Sequence, residues 1–252
     1  MDDLRISTMT ACSSINSNIN LNNLFQNITL DSIIPFIEHG SLGIKGEVKK
    51  SKRKSSKSEK KKTFFNQVTL HVNCEKIVNV KLFNNGKIQM TGLKYEEHGN
   101  KVLDMIIPEL VRLDQTHENK ILDKLNIDYK PMNIACINSD FSIGYHIKRE
   151  IFHQEIIKGG YYSSYEPCIY PGVNTKYYYN TLYPGGICKC HNPCNGKGDG
   201  KSDGGCKRIT VAVFKSGKSI ITGARSKKQL DIAHKFITKF IVDNEDILKL
   251  DE

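Results

Sequence analysis

The sequence has no apolar run approaching the roughly twenty residues that a membrane-spanning helix requires, and its start, MDDLRI, is acidic where a secretory signal is basic and then apolar. A soluble intracellular chain with no membrane partner is expected. No Ser/His/Asp order, phosphate-cradling Walker loop or paired-carboxylate motif stands out, so no enzyme is expected and no catalytic residue is nominated. Paired Cys-x-x-Cys spacing is missing as well, although the chain has eight cysteines. Net charge is small once one segment is set aside. The net charge is +10, but nine of the 37 basic residues lie with one acid, Glu59, between Lys49 and Lys62, leaving 28 bases against 26 acids elsewhere. Global charge is therefore weak evidence for a nucleic-acid partner. The run itself, KKSKRKSSKSEKKK, repels itself and offers no core, so a disordered loop is expected there.

What is present is a repeat. VKLFNNGKIQMTGLK, residues 80–94, and VAVFKSGKSIITGAR, residues 211–225, agree at six of fifteen positions, including the Phe, the turn Gly-Lys and the Thr-Gly. Strict alternation puts Val78, Val80, Leu82, Ile88 and Met90 on the core face of the first hairpin, and Val211, Val213, Ser219 and Ile221 on that of the second. Phe83 and Phe214 then stand on the opposite, mostly polar face. A lone exposed phenylalanine is unremarkable, but two at matching positions imply that both hairpins hold an aromatic toward something.

At 252 residues the chain has room for two units of ordinary size. The first, residues 1–125, opens with a short strand at Leu4–Thr10 and continues with LNNLFQNITLDSIIPFIEHG, expected to be helical in part with Gly40 as a stop. The lysine-rich insertion follows at about 45–63. TFFNQVTLHV is then a strand with Phe64, Val68, Leu70 and Val72 inward and Phe65, Gln67, Thr69 and His71 outward, and after the hairpin Glu96–Leu113 carries apolar residues at helical spacing. The second unit, residues 126–252, repeats this order, ending in a helix with Leu230, Ala233, Ile237 and Ile241 as its stripe. One-faced antiparallel strands with helices over the apolar face make an α+β layer.

YYSSYEPCIYPGV followed by VFKSGKSIITGAR resembles the second half of the TATA-box-binding-protein family: Ser-Ser-Tyr-Glu-Pro, an aromatic-Pro-Gly, Phe-x-Ser-Gly-Lys and Thr-Gly-Ala. The first unit is similar more loosely, through FNNGKIQMTGLK and the strand at Phe65. The resemblance implies a saddle of two pseudo-symmetric repeats, a curved antiparallel sheet with its concave face on the minor groove of A/T-rich promoter DNA and helices on the convex side. It implies a transcription initiation factor that works as a monomer on DNA and meets other transcription factors or RNA polymerase subunits through its convex face and stirrup. Phe65, Phe83, Tyr170 and Phe214 match the family's base-step wedges, which kink the duplex. Thr91, Thr222 and Asn133 match its short polar groups facing minor-groove acceptors, while Ala135, Ala212 and Ile220 match small or apolar floor positions. His71, Lys87, Lys176 and Lys218 match phosphate-facing positions.

The sequence departs from that pattern at Arg5, where the family has its other central asparagine, and at Lys81 and Gln89, where it has apolar residues. The first unit, with Arg5, Lys81, Gln89 and Thr91, is expected to read DNA loosely, and the second, with Asn133, Ala135, Ala212, Ile220 and Thr222, strictly. Cys168-Ile169 replaces the usual Glu-Leu in the segment that contacts transcription factor IIB, which puts that partner in question and fits an unusual partner or a divergent viral relative. The departures also leave open a protein-interaction scaffold with weak or non-specific DNA binding. The setting is a nucleus or, for a virus, a cytoplasmic factory or virion.

The second unit has one further insertion, at about 181–207. Cys188, Cys190, Cys194 and Cys206 fall within nineteen residues, seven glycines lie between Gly185 and Gly205, and Ile187 is the only large aliphatic there. Such a segment has too little apolar surface to fold by burial, so four thiolates suggest one structural zinc, with His191 able to replace a cysteine. Free thiols on a mobile loop, or disulfides in an oxidising setting, are the alternatives. Cys12, Cys74, Cys136 and Cys168 are scattered and read as structural.

Overall fold

The computed structural model describes residues 3–47, 64–124, 126–191 and 194–250, so the lysine run at 49–62 lies outside the described residues. The chain divides into two compact units: Thr10–Ile134, and Ala135–Glu252 together with the residues up to Met9.

In the first unit, the later half of β1 (Arg5–Ser14) is followed by α1 (Leu21–Asn27), β2 (Phe36–His39), β3 (Gly43–Gly46), β4 (Gln67–Cys74), β5 (Lys76–Phe83), β6 (Lys87–Leu93) and α2 (Glu96–Thr116). Its strands lie in the order β3-β2-β4-β5-β6-β1. In the second unit come β7 (Asn133–Ser142), α3 (Arg149–Lys158), β8 (Tyr162–Ser164), β9 (Val173–Tyr179), β10 (Lys207–Val213), β11 (Lys218–Ala224), α4 (Lys227–Asp243) and α5 (Glu245–Leu248), with strand order β7-β11-β10-β9-β8 and the start of β1 beside β7. Each unit packs its helices on one sheet face. Val78, Val80, Leu82, Ile88 and Met90 are buried, with α2 over β4 and β6 and α1 over β2 and β4; Val211, Val213, Ser219 and Ile221 are buried, with α4 over β9, β10 and β11 and α3 over β8 and β9. The opposite face of each sheet carries no helix and keeps the polar members of the alternation.

The two hairpin turns are built alike. Gly86 and Gly217 have φ of 75° and 76°, a region open to glycine, and a Cβ on either would fall 2.2 Å from a backbone oxygen, Ser17 O or Tyr145 O. Ile15 N donates to Gly86 O at 2.9 Å, and Ile143 N to Gly217 O at 3.0 Å. The turn glycine therefore docks each hairpin onto the segment that follows the unit's first strand. Ser226 caps α4: its hydroxyl accepts from Gln229 N at 3.3 Å while Gln229 Oε1 accepts from Arg225 N at 2.8 Å.

Several expectations fail for physical reasons. The helix expected to run toward Gly40 stops at Asn27. Asp31 Oδ1 accepts from Ile33 N at 2.8 Å and Ile34 N at 2.6 Å, forming a turn, and Phe36–His39 then pairs with β4 as a strand. Phe64 is not inward but 63% exposed, because β4 begins only at Gln67. The first strand runs on to Ser14. Gly43–Gly46 is ordered strand, so the lysine-rich insertion cannot begin at 45. Of the scattered cysteines, Cys74 is buried, but Cys12 and Cys168 are exposed.

Candidate nucleic-acid interface

Strand register assembles the helix-free face into cross-strand rows. In the second unit, Asn174, Ala212, Ile220 and Asp140 lie across β9, β10, β11 and β7, and one pleat further on come Lys176, Thr210, Thr222 and Asn138. In the first, Thr69, Lys81 and Gln89 form one row and His71, Asn79 and Thr91 the next. All the candidate strand residues fall on these faces, together with Asn79, Asn138, Asp140, Asn174 and Thr210, which sequence reasoning passed over. Asn138 and Asp140 had a signal: from Ile137 onward β7 alternates buried and half-buried.

The ring pairs differ. Tyr170 and Phe214 sit 5.7 Å apart between centroids, at 59°. Gly172 lies beneath them, and a Cβ there would come within 2.9 Å of the Tyr170 ring and 3.0 Å of the Phe214 ring. Arg149 Nη1 holds the preceding loop by donating to Pro171 O at 2.5 Å. Phe65 is 68% exposed in the turn ahead of β4, and Phe83 is half-buried at the end of β5; among the described residues the two share no ring contact.

Arg5 belongs on the other floor from the one expected. Because the start of β1 lies beside β7, Arg5 Nη2 donates to Asp140 Oδ2 at 2.9 Å, and the Ser7 hydroxyl donates to the same carboxylate. Arg5, Asp140, Phe214, Lys218 and Ile220 line one open hollow, while Phe83, Lys87, Gln89 and Asn133 line another with Cys12. Asn133 and Arg5 have thus changed places relative to the expected division into a strict and a loose half. The cation on the second unit's floor is offset by an acid. The Thr222 hydroxyl donates to Asn138 Oδ1, so the Asn138 amide nitrogen is that side chain's donor, while Thr91 sits 3.4 Å from the Thr10 hydroxyl.

The basic positions are uneven too. His71 stacks on Phe36 at 4.3 Å between centroids, and burial pushes its imidazole down from the ordinary value, with Glu38 pulling the other way. Lys176 is partly buried, donates to Thr210 Oγ1 at 2.9 Å, and is pushed down by that burial and by Arg208. Lys87 and Lys218 are exposed.

Residues 131–243 match the sequence profile of the family described as transcription factor TFIID, or TATA-binding protein. A TATA-box-binding protein-like chain of Acanthamoeba polyphaga mimivirus is 30% identical over 203 residues, covering 75% of this chain. The TATA-binding protein of Methanococcus jannaschii superposes with a TM-score of 0.57 and 19% identity, over 96% of this chain and 99% of that one. This chain carries a divergent TATA-binding-protein family domain. Its fold is the family's α+β fold of two repeats. It spans half the length of the mimivirus relative.

One feature of this TATA-binding-protein relative stands apart from the sheet. The Sγ atoms of Cys188, Cys190, Cys194 and Cys206 all lie within 4.8 Å of one another, with Cys188 3.7 Å from Cys194 and 3.9 Å from Cys206. These separations are far longer than a disulfide, and all four cysteines are free. Sulfurs at roughly 2.3 Å from a tetrahedral zinc would be about 3.8 Å apart, so the four thiols can hold a metal ion. The Asn180 amide donates to Cys190 Sγ at 3.3 Å and Ser202 to the same sulfur at 3.8 Å. Burial alone would push Cys194 up, but the Gly198 N–H, Ser202 and neighbouring thiols bring it down to about 7, while burial and its neighbours push Cys206 up. Among the described residues His191 is outside this cluster. No described helix is long and apolar enough to cross a membrane.

Proposed function

We propose that this chain binds and bends A/T-rich promoter DNA through the minor groove, as a transcription initiation factor acting as a monomer on DNA. The observation that carries this reading is the Tyr170–Phe214 pair over Gly172, one pleat along β10 from the cross-strand pair Ala212–Ile220. One exposed and one half-buried ring side by side, with no bulk beneath them, suit insertion between base steps. The uncharged Ala212 and Ile220 suit a groove whose A·T edges offer only acceptors. Phe65 and Phe83 would form the matching wedge. Asn138 and Asn133 would donate to base acceptors, Thr91, Thr222, Gln89 and Ala135 would complete the floors, and Lys87, Lys218, Lys176 and His71 would meet phosphates, His71 gaining its proton when it does. We further infer one structural zinc on the four cysteines. The helix-covered face and the Tyr165–Gly172 loop would meet other transcription proteins, within an infected cell if the chain is viral.

The test replaces A·T pairs of a bound site with inosine·cytosine, which presents an A·T-like minor groove and a G·C-like major groove. Retained affinity with inosine and loss with guanine is expected. Equal loss with both would show that the reader is not in the minor groove. The competing reading, a scaffold indifferent to DNA sequence, predicts that neither replacement matters.

A further inference from the structure

The arm between β9 and β10 has no counterpart in the first repeat, where Glu75 alone, at a φ of 59°, joins β4 to β5. Residues 196–200 of the arm return alongside the start of β10, where Asp199 bridges Lys207 antiparallel. The Tyr178 hydroxyl donates to Gly196 O at 2.9 Å, Arg208 N to Gly198 O at 2.8 Å, and Gly200 N to Cys206 O at 2.8 Å. A Cβ on Gly198 would come within 2.5 Å of Arg208 Cβ, and one on Gly200 within 3.1 Å of Arg225 Nη1. Glycine lets this backbone run close beside Arg208 and Arg225.

Arg208 continues the row that runs along β10 through Phe214, Ala212 and Thr210, so the arm begins where the proposed base contacts end. Its surroundings are cationic. Lys197, Arg208 and Arg225 are exposed and Lys207 is half-buried, and none has a carboxylate within 4.0 Å among the described residues. Asp199 is the nearby acid, and it pairs with Lys201 at 4.0 Å.

We propose that the cysteine-stapled arm, with Lys197, Arg208 and Arg225, grips phosphates of the same duplex beyond the base steps under the sheet. This rests on the DNA-binding reading above. The four thiols, with a metal between them, fix an apolar-poor segment so that its cations are presented rather than mobile. A duplex is the occupant because the cations are continuous with the proposed reading face and its backbone supplies closely spaced charge.

The test compares the zinc-loaded full chain with K197Q/R208Q/R225Q on a 40-bp duplex carrying a central A/T-rich run, measuring the slope of log K against log salt. Each phosphate contact contributes about 0.9 to that slope, so the triple variant should flatten it by about 2.7. Its hydroxyl-radical footprint should shorten on one flank, while saturated complexes keep the wild-type end-to-end distance. C188S/C206S should shorten the same flank. A wild type that bends the duplex and a triple variant with unchanged slope and footprint would overturn the arm alone. A wild type that does not bind the duplex would overturn both readings.

Discussion

Replacing Gly172 by alanine is the smallest change that disturbs the proposed wedge. Gly172 does not have the left-handed φ that would exclude a side chain, so the added methyl strains contacts rather than backbone. Its Cβ would stand 2.9 Å from Tyr170 Cε1 and 3.0 and 3.3 Å from Phe214 Cε1 and Cδ1. Carbon atoms pack best at about 3.5–4.0 Å, so the two rings must retreat by roughly 0.5–1 Å. Tyr170 is 38% exposed and Phe214 only half-buried, so both can move, and folding should lose no more than about 1 kcal/mol. DNA affinity should fall further in proportion. A well-placed aromatic pair is worth about 0.5–1.5 kcal/mol beyond its burial, which converts to roughly a 2- to 12-fold loss. Urea unfolding and fluorescence-anisotropy titration on one A/T-rich duplex separate the two effects, with Phe214→Ala as the full loss of one ring. Unchanged affinity and bending in Gly172→Ala would refute the claim that ring placement matters, and so would an affinity loss wholly explained by unfolding.

Other expectations follow from named contacts. Asp140→Asn removes the acid beside Arg5, and the slope of log K against log salt should steepen by about 0.9 as one cation is released to the duplex; an unchanged slope would mean Arg5 is not offset. Elemental analysis of protein purified without chelator should give about one zinc per chain, lost in Cys206→Ser, whereas fully reduced metal-free protein would refute the site. Asp114 accepts from Ile121 N at 2.7 Å and Leu122 N at 2.9 Å, with Lys120 at 3.7 Å. Burial opposes its charge, but those bonds win and hold its carboxyl below the ordinary 3.8. Its contribution is therefore present above about pH 4 and lost as pH falls through the lower folded value. Asp114→Asn should cost about 1.5–3 kcal/mol at neutral pH and flatten the acid limb, as urea unfolding at a series of pH values would report.

The hairpins were legible because Val78 to Met90 and Val211 to Ile221 alternate strictly around a glycine turn, and local alternation decides which face is buried. The segment from Leu21 to Gly40 misled because Ile33, Ile34, Phe36 and Ile37 have helical spacing over too short a span to exclude a strand, and pairing with β4 decides the matter. Placement of Arg5 depended on which strand lies beside β1, a contact 135 residues away in sequence that no local pattern encodes. The cysteine cluster was visible as thiol density, but only three-dimensional geometry separates a metal-holding set from four free thiols. Asp140 was missed because attention stayed on the positions that the family resemblance named.

The central claim is that exposed ring pairs bend DNA, and the most direct measurement is energy transfer between dyes at the two ends of a short A/T-rich duplex. The account predicts that saturating wild-type protein raises transfer and that Phe83→Ala with Phe214→Ala, folded and bound at higher concentration, leaves the ends near their free-duplex distance. A saturated wild-type complex with no rise in transfer, or a double variant that bends as fully as wild type, would contradict it.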